Sequence, residues 1–294
     1  MTSETIKTLW QTTELSRVAS QLELLAKPSI RLKGTRISED ELALGTSKLG
    51  GLPDLPPQLQ WPTWNGVPLA FLAQINLAEI HQFDITKTLP ASGRLSFFYD
   101  ADHVPVGYNP AWQGGWRVLY EDQTSLALRR MPVPPSLLER ESPWLPEEHH
   151  YTSCKLTFSV ETTLPPGDSL SIAALHLSRK EQNAYEELLK TLNNRYQEPL
   201  HRLLGHPDAL QGDMQLECQL VSSGLNLGSG EAYFSEQGKH LRQGAEAWQL
   251  FLQLDTDPGP QMLWGIEGRA YYWIRREALQ TQTFDEVWFI MQWS

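Results

Sequence analysis

The chain has 294 residues, a formal net charge of −11 and 40% hydrophobic residues. These values exclude a disordered chain and are typical of a folded protein. The acidic balance argues against direct nucleic-acid binding, which requires a basic surface. No apolar run approaches the ~20 residues of a membrane-spanning helix, and the first ten residues lack the basic start and apolar core of a signal peptide. We therefore expect a cytoplasmic protein without a membrane partner.

The first predicted element is an amphipathic helix capped by Thr12 or Thr13 and ended by Pro28. Its apolar face repeats at helical spacing and consists of Leu15, Val18, Leu22 and Leu25. A strand around Ile30 and Leu32 follows, so residues 1–47 form an N-terminal helix and strand.

The next stretch organises the rest of the chain. Gly50 and Gly51 mark a tight turn, because glycine adopts positive φ without a steric penalty. Residues 68–75 are apolar on both alternations, which predicts a buried strand. Asn76, with Glu79 three residues later, predicts a short capped helix. Residues 93–99 (GRLSFFY) then predict an aromatic partner strand.

Three segments of the second half repeat this pattern in the same order. LLGHPD at 203–208 corresponds to LGGLPD, LFLQLD at 250–255 to FLAQIN, and GRAYYWI at 268–274 to GRLSFFY. We interpret the chain as one domain, residues 1–294, whose first half (48–150) and second half (151–294) arose by internal duplication. Convergent strand and turn patterns are the alternative.

The remaining segments predict further strands and one main helix. Residues 116–120 and 126–131 predict a hairpin, and 154–164 and 287–293 predict strands. Ser178 and Glu181 form a capping box for a helix, whose apolar stripe is Tyr185, Leu188, Leu189, Leu192 and Tyr196. The predicted class is α+β, with mostly antiparallel sheet in two related halves and a few amphipathic helices packed on it.

Two aspartate pairs are the clearest candidates for chemistry. Asp100 and Asp102 follow the first aromatic strand, and Asp255 and Asp257 follow the second buried strand. Oxygen ligands at alternate positions suit Ca²⁺ or Mg²⁺, but the twelfth position counted from Asp255 is Ile266, where an EF-hand needs glutamate. Turn-forming aspartates at strand ends explain both pairs, so we assign no metal site.

The sequence also lacks complete motifs for a zinc site, a catalytic serine or a phosphate-binding loop. Residues 147–150 (EEHH) lack the helical H-E-x-x-H spacing of a zinc site. The sequence contains no G-x-S-x-G elbow, and Gly228–Gly230 does not continue as a phosphate loop. Cys154 and Cys218 lack metal-ligand spacing, so we expect free buried thiols. We assign no catalytic residue and no cofactor.

Aromatic residues in loops indicate a binding surface instead. Trp112 precedes a pair of glycines in a long loop, and tryptophan is enriched at interaction hot spots. The alternative is that Trp112 packs into the hydrophobic core beneath this long loop. With the four aspartates, Trp112 completes a candidate partner-binding set.

The central stretch carries a family resemblance. KLGGLPDLPPQLQWPTWNGVPLAFLAQINLAEI, GRLSFFYDAD and the later WQLFLQLDTD and WGIEGRAYYWIRREAL resemble the YwqG-like bacterial domain family, from about Lys48 to the C-terminus. The resemblance implies a mixed α+β fold without established catalytic residues. Members of such families also occur beside bacterial toxin genes, which implies that some of them act as immunity proteins.

The favoured hypothesis is therefore a non-enzymatic immunity protein that occludes the active site of a cognate toxin. A nuclease toxin would present a basic surface, which an acidic inhibitor complements. The alternative is an enzyme or a small-ligand or metal-binding protein with a site in the cleft between the halves. In that case Asp100, Asp102, His206, Asp255 and Asp257 would converge. The sequence leaves the oligomeric state open.

Overall fold

One large antiparallel sheet dominates the fold. The computed structural model describes residues 14–122, 127–140, 142, 144–194 and 199–293. The strands of these residues are β1 (Lys27–Arg36), β2 (Lys48–Leu49), β3 (Asp54–Leu55), β4 (Thr63–Trp64), β5 (Val67–Pro68), β6 (Ala70–Asn76), β7 (Arg94–Tyr99), β8 (Trp116–Glu121), β9 (Arg129–Arg130), β10 (Cys154–Thr163), β11 (His201–Leu203), β12 (Trp248–Asp255), β13 (Arg269–Arg275) and β14 (Trp288–Gln292).

Short helices lie before the first strand and in the connections between these strands. In the described residues they are α1 (Ala19–Leu25), α2 (Leu77–Ile80), α3 (Pro135–Leu138), α4 (Leu170–Ala173), α5 (Arg179–Asn194), α6 (Gln215–Ser222), α7 (Glu236–Leu241) and α8 (Arg276–Gln280). None of these helices has the length and apolar character needed to cross a membrane. The predicted α+β class, with mainly antiparallel sheet and few helices, is confirmed.

The ten strands of the main sheet in the described residues lie in the order β14-β13-β12-β11-β1-β10-β2-β6-β7-β8. The sheet curls until its two outermost strands approach each other. Trp116 on β8 donates from Nε1 to the carbonyl oxygen of Val287 at 2.9 Å, and its ring lies 4.9 Å from that of Trp288 on β14. The loop after β7 bridges the remaining gap, since Trp288 Nε1 donates to the Gly107 carbonyl at 2.9 Å.

The core lies inside this curl and is rich in aromatic rings. Phe97 from β7 contacts Phe251 from β12 and Tyr272 from β13, with ring centroids 5.4 and 5.2 Å apart. A smaller cluster joins α1 to α5 and contains the buried residues Leu15, Val18, Leu22, Leu164, Ile172, Tyr185, Leu188 and Leu192. Burial of this apolar surface is the main stabilising contribution to the fold.

Local capping signals predicted the helices well. Asn76 accepts a hydrogen bond from the Ala78 amide at 3.1 Å, as an N-cap should. Ser178 and Glu181 form the predicted capping box, with the Ser178 amide donating to Glu181 Oε2 at 2.7 Å. The predicted caps Thr12 and Thr13 and the stripe residue Tyr196 lie outside the described residues.

The predicted hairpin between residues 116–120 and 126–131 is wrong. β9 pairs with β3, so that Arg130 lies opposite Asp54 in a separate two-stranded sheet. The Arg130 guanidinium donates to Asp54 Oδ1 at 2.9 Å and to the backbone carbonyls of Glu39 and Leu42. These bonds to distant segments draw β9 away from β8.

Candidate functional site

The four candidate aspartates and Trp112 lie at the same end of the sheet. β7 and β12 run in the same direction, because an even number of antiparallel pairings separates them. Asp100 and Asp255 therefore lie where two parallel-running strands end, and Trp112 belongs to the loop that leaves β7. We call this the β7/β12 end.

The first aspartate pair is engaged within the chain. Asp100 is buried and accepts from the Asp102 amide at 3.0 Å, and its Oδ2 accepts from His103 Nδ1 at 2.7 Å. Asp102 forms an ion pair with Arg140. Trp112 is partly buried against the main core. In this structure these residues fix the loop that follows β7.

The second pair has equally specific partners. Asp255 Oδ1 accepts from Arg269 Nε at 2.9 Å, and the Asp255 amide donates to His201 Nδ1 at 3.0 Å. His201 Nε2 must therefore carry a proton, which it donates to Asp257 Oδ2 at 2.9 Å. Burial is the largest single influence and acts to raise the pKa of Asp257, but the bond and charge of His201 and the bond from the Gly259 amide together outweigh it, so that pKa lies below its ordinary value.

Both pairs make the bonds of turn-forming aspartates, since Asp257 also accepts from the Gly259 amide at 2.7 Å. Among the described residues, no group of three or more histidine, cysteine, aspartate or glutamate side chains is arranged to hold a metal ion. Cys154 and Cys218 are free and buried, as expected.

An exposed apolar surface lies at the β7/β12 end, beside these aspartates. Its residues are Leu263, Ile266 and Trp293, which we call the end patch; Ile266 is 85% exposed. The loop that carries Leu263 and Ile266 joins β12 to β13, and Trp293 follows β14. A methyl group placed on Gly265 would lie 3.6 Å from Trp293, so the two segments are in contact.

The end patch has a firm base, and acidic residues lie near it in the chain. Trp144 packs against Trp264 beneath it, with ring centroids 6.2 Å apart, and Trp264 is fully buried. Glu267 within the loop is exposed, as are Glu147 and Glu148, which lie three and four residues after Trp144. Sequence reasoning did not identify the end patch; the available signal was apolar residues in a loop rich in glycine and proline.

His206, the fifth member of the alternative site, lies away from the aspartates. Its Nε2 donates to the Leu25 carbonyl at 2.8 Å, and its amide donates to Thr163 Oγ1 at 2.8 Å. Thr163 ends β10, which runs opposite to β7 and β12, so His206 lies at the opposite end of the sheet. The five residues of the alternative site therefore do not converge.

A polar cleft of about 430 Å³ lies between α5 and the turn at Pro207 and Asp208. In its wall, Arg202 Nε lies 3.0 Å from Glu161 Oε1, and both side chains are almost fully buried. Arg269 reaches Asp208 Oδ2 at 2.8 Å. Arg202 and Arg269 thus each face a carboxylate, so neither is an uncompensated buried charge in this wall.

The sequence profile of the family described as "Domain of unknown function (DUF1963)" matches residues 47–293, which is most of the chain. The chain belongs to the DUF1963 family. The match begins next to Lys48, where the resemblance noted in the sequence also begins. It does not distinguish a YwqG-like subgroup, so that narrower assignment stays a prediction. A comparison with curated proteins gave no match.

One further ionisable group in this DUF1963 chain is strongly perturbed. Glu217 on α6 accepts from the Tyr233 hydroxyl at 3.1 Å, while its Oε2 is buried without a hydrogen-bond partner among the described residues. Burial raises the pKa of Glu217 to about 7, with smaller contributions from Asp213 and Asp168. Tyr233 belongs to the segment between α6 and β12, so this bond anchors that segment to α6.

We expect Glu217 to make stability fall as pH rises between about 4.5 and 7, because the folded state holds the proton that the unfolded state releases. The free energy of unfolding of Glu217→Gln, relative to that of the parent protein, should rise by about 2 kcal/mol when the pH changes from 5 to 8. Urea unfolding at both pH values measures this difference. The exposed Glu236→Gln should show no such gain, and a pH-independent difference for Glu217→Gln would contradict the assignment.

Proposed function

We propose that this protein binds a basic protein through the end patch and acts in the cytoplasm as an immunity protein for a cognate toxin. The observation that carries this proposal is the exposed apolar surface of Leu263, Ile266 and Trp293, with the exposed Glu267 in the same loop. Exposed apolar residues that are grouped and rimmed by charge are typical of interaction sites.

The chemistry of the end patch favours a basic protein partner. Tryptophan and large aliphatic side chains provide the buried centre of an interface, and the polar rim excludes water from it. Glu147, Glu148 and Glu267 supply negative charge around that centre, in a chain of net charge −11. A nuclease toxin has a basic active-site surface, so complementary potential would speed association and place the end patch over that site.

Ile266→Asp should weaken partner binding by about thirtyfold or more, because it places a charge at the centre of the apolar contact. The matched control is Ile85→Asp. Ile85 is also exposed, at 60%, but lies in the turn after α2. Tagged parent and variant proteins would be purified from the native host, and proteins that are retained would be identified by mass spectrometry.

The proposal predicts one basic protein retained in stoichiometric amount by the parent and by Ile85→Asp, and lost with Ile266→Asp. Its release by high salt would further support an electrostatic contribution. Retention of no such protein by the parent, or equal retention by both variants, would contradict the proposal.

We also infer that the two halves arose by duplication of a YwqG-like unit. The strand order is symmetrical about the β1–β10 pair, and β6 and β12 both carry a bulge against their partner strands. Gln74 accepts from the Asp54 amide at 2.9 Å, and Gln253 accepts from the Asp208 amide at 2.9 Å. Equivalent bonds from equivalent sequence positions support common origin over convergence.

A further inference from the structure

A cavity of about 280 Å³ lies beside the turn at Gly205 and His206, on the side of that turn away from the polar cleft. Lys27, Arg276 and Trp273 are among its lining residues. Lys27 begins β1, Arg276 begins α8, and Trp273 belongs to β13. The cavity is thus formed where three separate elements meet.

Trp273 leaves an unused hydrogen-bond donor at this cavity. Trp273 is only 1% exposed, and its Nε1 has no hydrogen-bond partner among the described residues. The indole N–H can donate but cannot accept. A buried donor without a partner is unfavourable, so a ligand that offers an acceptor would be stabilised here.

Two cations, Lys27 and Arg276, belong to the lining of this cavity, and both side chains are exposed. Desolvation by the surrounding protein and then the nearby charge of Arg276 lower the pKa of Lys27. Within the described residues, no carboxylate forms an ion pair with Lys27. Burial, followed by the charge of Lys27, lowers the pKa of His206 to about 3, so His206 is neutral at pH 7. An anionic group between Lys27 and Arg276 would relieve their mutual repulsion.

Two acidic residues in the lining limit the charge of a ligand. Asp213 and Glu246 also line the cavity. Asp213 accepts from the Gln215 amide at 3.3 Å, and Arg276 donates to the backbone carbonyl of Glu246 at 2.7 Å. Because two carboxylates lie in the same lining as the two cations, a ligand with a single negative charge is favoured over a polyanion.

The cavity also provides an apolar surface. Leu24 and Leu170 line it and are exposed, and Leu25 and Pro165 extend the same wall. An apolar ligand body would cover side chains that otherwise face water. The lining therefore combines hydrogen-bond donors and cations with an aliphatic surface.

We propose that this cavity binds a small organic monocarboxylate with an aliphatic body. The carboxylate accepts from Lys27, Arg276 and the indole N–H of Trp273, and the aliphatic body lies along Leu24 and Leu170. This site is separate from the end patch and does not depend on the immunity function.

Hexanoate is a suitable probe, and hexan-1-ol is its uncharged counterpart of equal length. The indole N–H region of a ¹⁵N spectrum would be recorded during titration, and the Trp273 resonance assigned as the signal that Trp273→Phe lacks. We expect hexanoate to shift this resonance in a saturable manner and hexan-1-ol to leave it in place. An equal shift with the alcohol, or no shift with hexanoate, would overturn the proposal.

A variant pair tests the role of the cation. Lys27→Met should weaken hexanoate binding about tenfold or more, because it removes a charge-assisted hydrogen bond and keeps the aliphatic stem. Lys33→Met removes an exposed lysine from the same strand and should bind hexanoate as the parent does. Calorimetric titration of both variants measures the effect, and equal affinities would overturn the assignment of Lys27.

Discussion

Replacing Asp54 with alanine is expected to lower the free energy of unfolding by about 3–5 kcal/mol. Asp54 is fully buried, and its Oδ1 accepts from Arg130 Nε at 2.9 Å. Its Oδ2 accepts from the Gly45 amide at 2.9 Å and from Gln74 at 3.1 Å, with Lys48 Nζ 3.5 Å away. Lys48 is itself fully buried, so the alanine variant leaves two cations with one fewer carboxylate between them.

Urea unfolding of Asp54→Ala at pH 7 measures this loss. Glu187→Ala breaks the exposed pair with Lys190 and should change stability by about 0.5 kcal/mol or less. Burial is the largest single influence and acts to raise the pKa of Asp54, but the bond from Arg130, the charge of Lys48 and the bonds from Gly45 and Gln74 together hold that pKa below its ordinary value. The charge of Asp54 thus stabilises the fold above about pH 4 and ceases to do so as pH falls further. Equal losses for the two variants would contradict this account.

Gly107→Ala should destabilise the fold by about 3 kcal/mol or more. Gly107 has a φ of +92°, and a methyl group on it would lie 1.9 Å from the carbonyl oxygen of Phe289 on β14. The neighbouring Val106 carbonyl accepts from the Met291 amide at 3.2 Å, so this segment holds the gap between the outermost strands. Two backbones must separate to admit the methyl group.

Gly66→Ala is the matched control for this position. Gly66 also has a positive φ, +79°, but a methyl group there meets no atom within 4 Å. Gly66→Ala should lower the free energy of unfolding by only about 1 kcal/mol, because alanine disfavours positive φ but meets no steric clash there. Midpoints of urea unfolding compare the two variants. If both lost the same amount, close packing of the loop against β14 would be contradicted.

Features set by neighbouring residues could be predicted from the sequence. The N-cap at Asn76 and the capping box of Ser178 and Glu181 involve residues two or three positions apart, so the pattern contains both partners. Most strands were also correct, because alternation and aromatic content reflect burial within each strand. The strand order around β1 and β10 could not be predicted, because the alternation within a strand does not indicate which other strand it pairs with.

Features set by distant partners could not be predicted. Lys48 is a charged residue that is fully buried, which becomes favourable only with Glu39 and Asp54 beside it. The position of β9 depends on the bond between Arg130 and Asp54, which are far apart in sequence. No spacing within 116–131 indicates that contact, so a local hairpin was the simpler prediction.

The candidate binding surface also has parts that local sequence predicts and parts that depend on distant contacts. The aspartates were placed correctly at strand ends, and Asp100 and Asp257 make the turn bonds that such positions favour. The end patch could not be predicted, because exposure of Ile266 and Trp293 depends on how β12, β13 and β14 end together. In sequence, these residues were indistinguishable from buried neighbours such as Trp264.

The most direct test of the immunity proposal is a growth assay in which the genes that neighbour this gene in its native genome are each tested as the cognate toxin. The toxin would be expressed in a sensitive bacterium together with the parent protein, Ile85→Asp or Ile266→Asp, each at a verified equal level. The proposal predicts that the parent and Ile85→Asp restore growth and that Ile266→Asp does not. Failure of the parent to restore growth, or full rescue by Ile266→Asp, would contradict it.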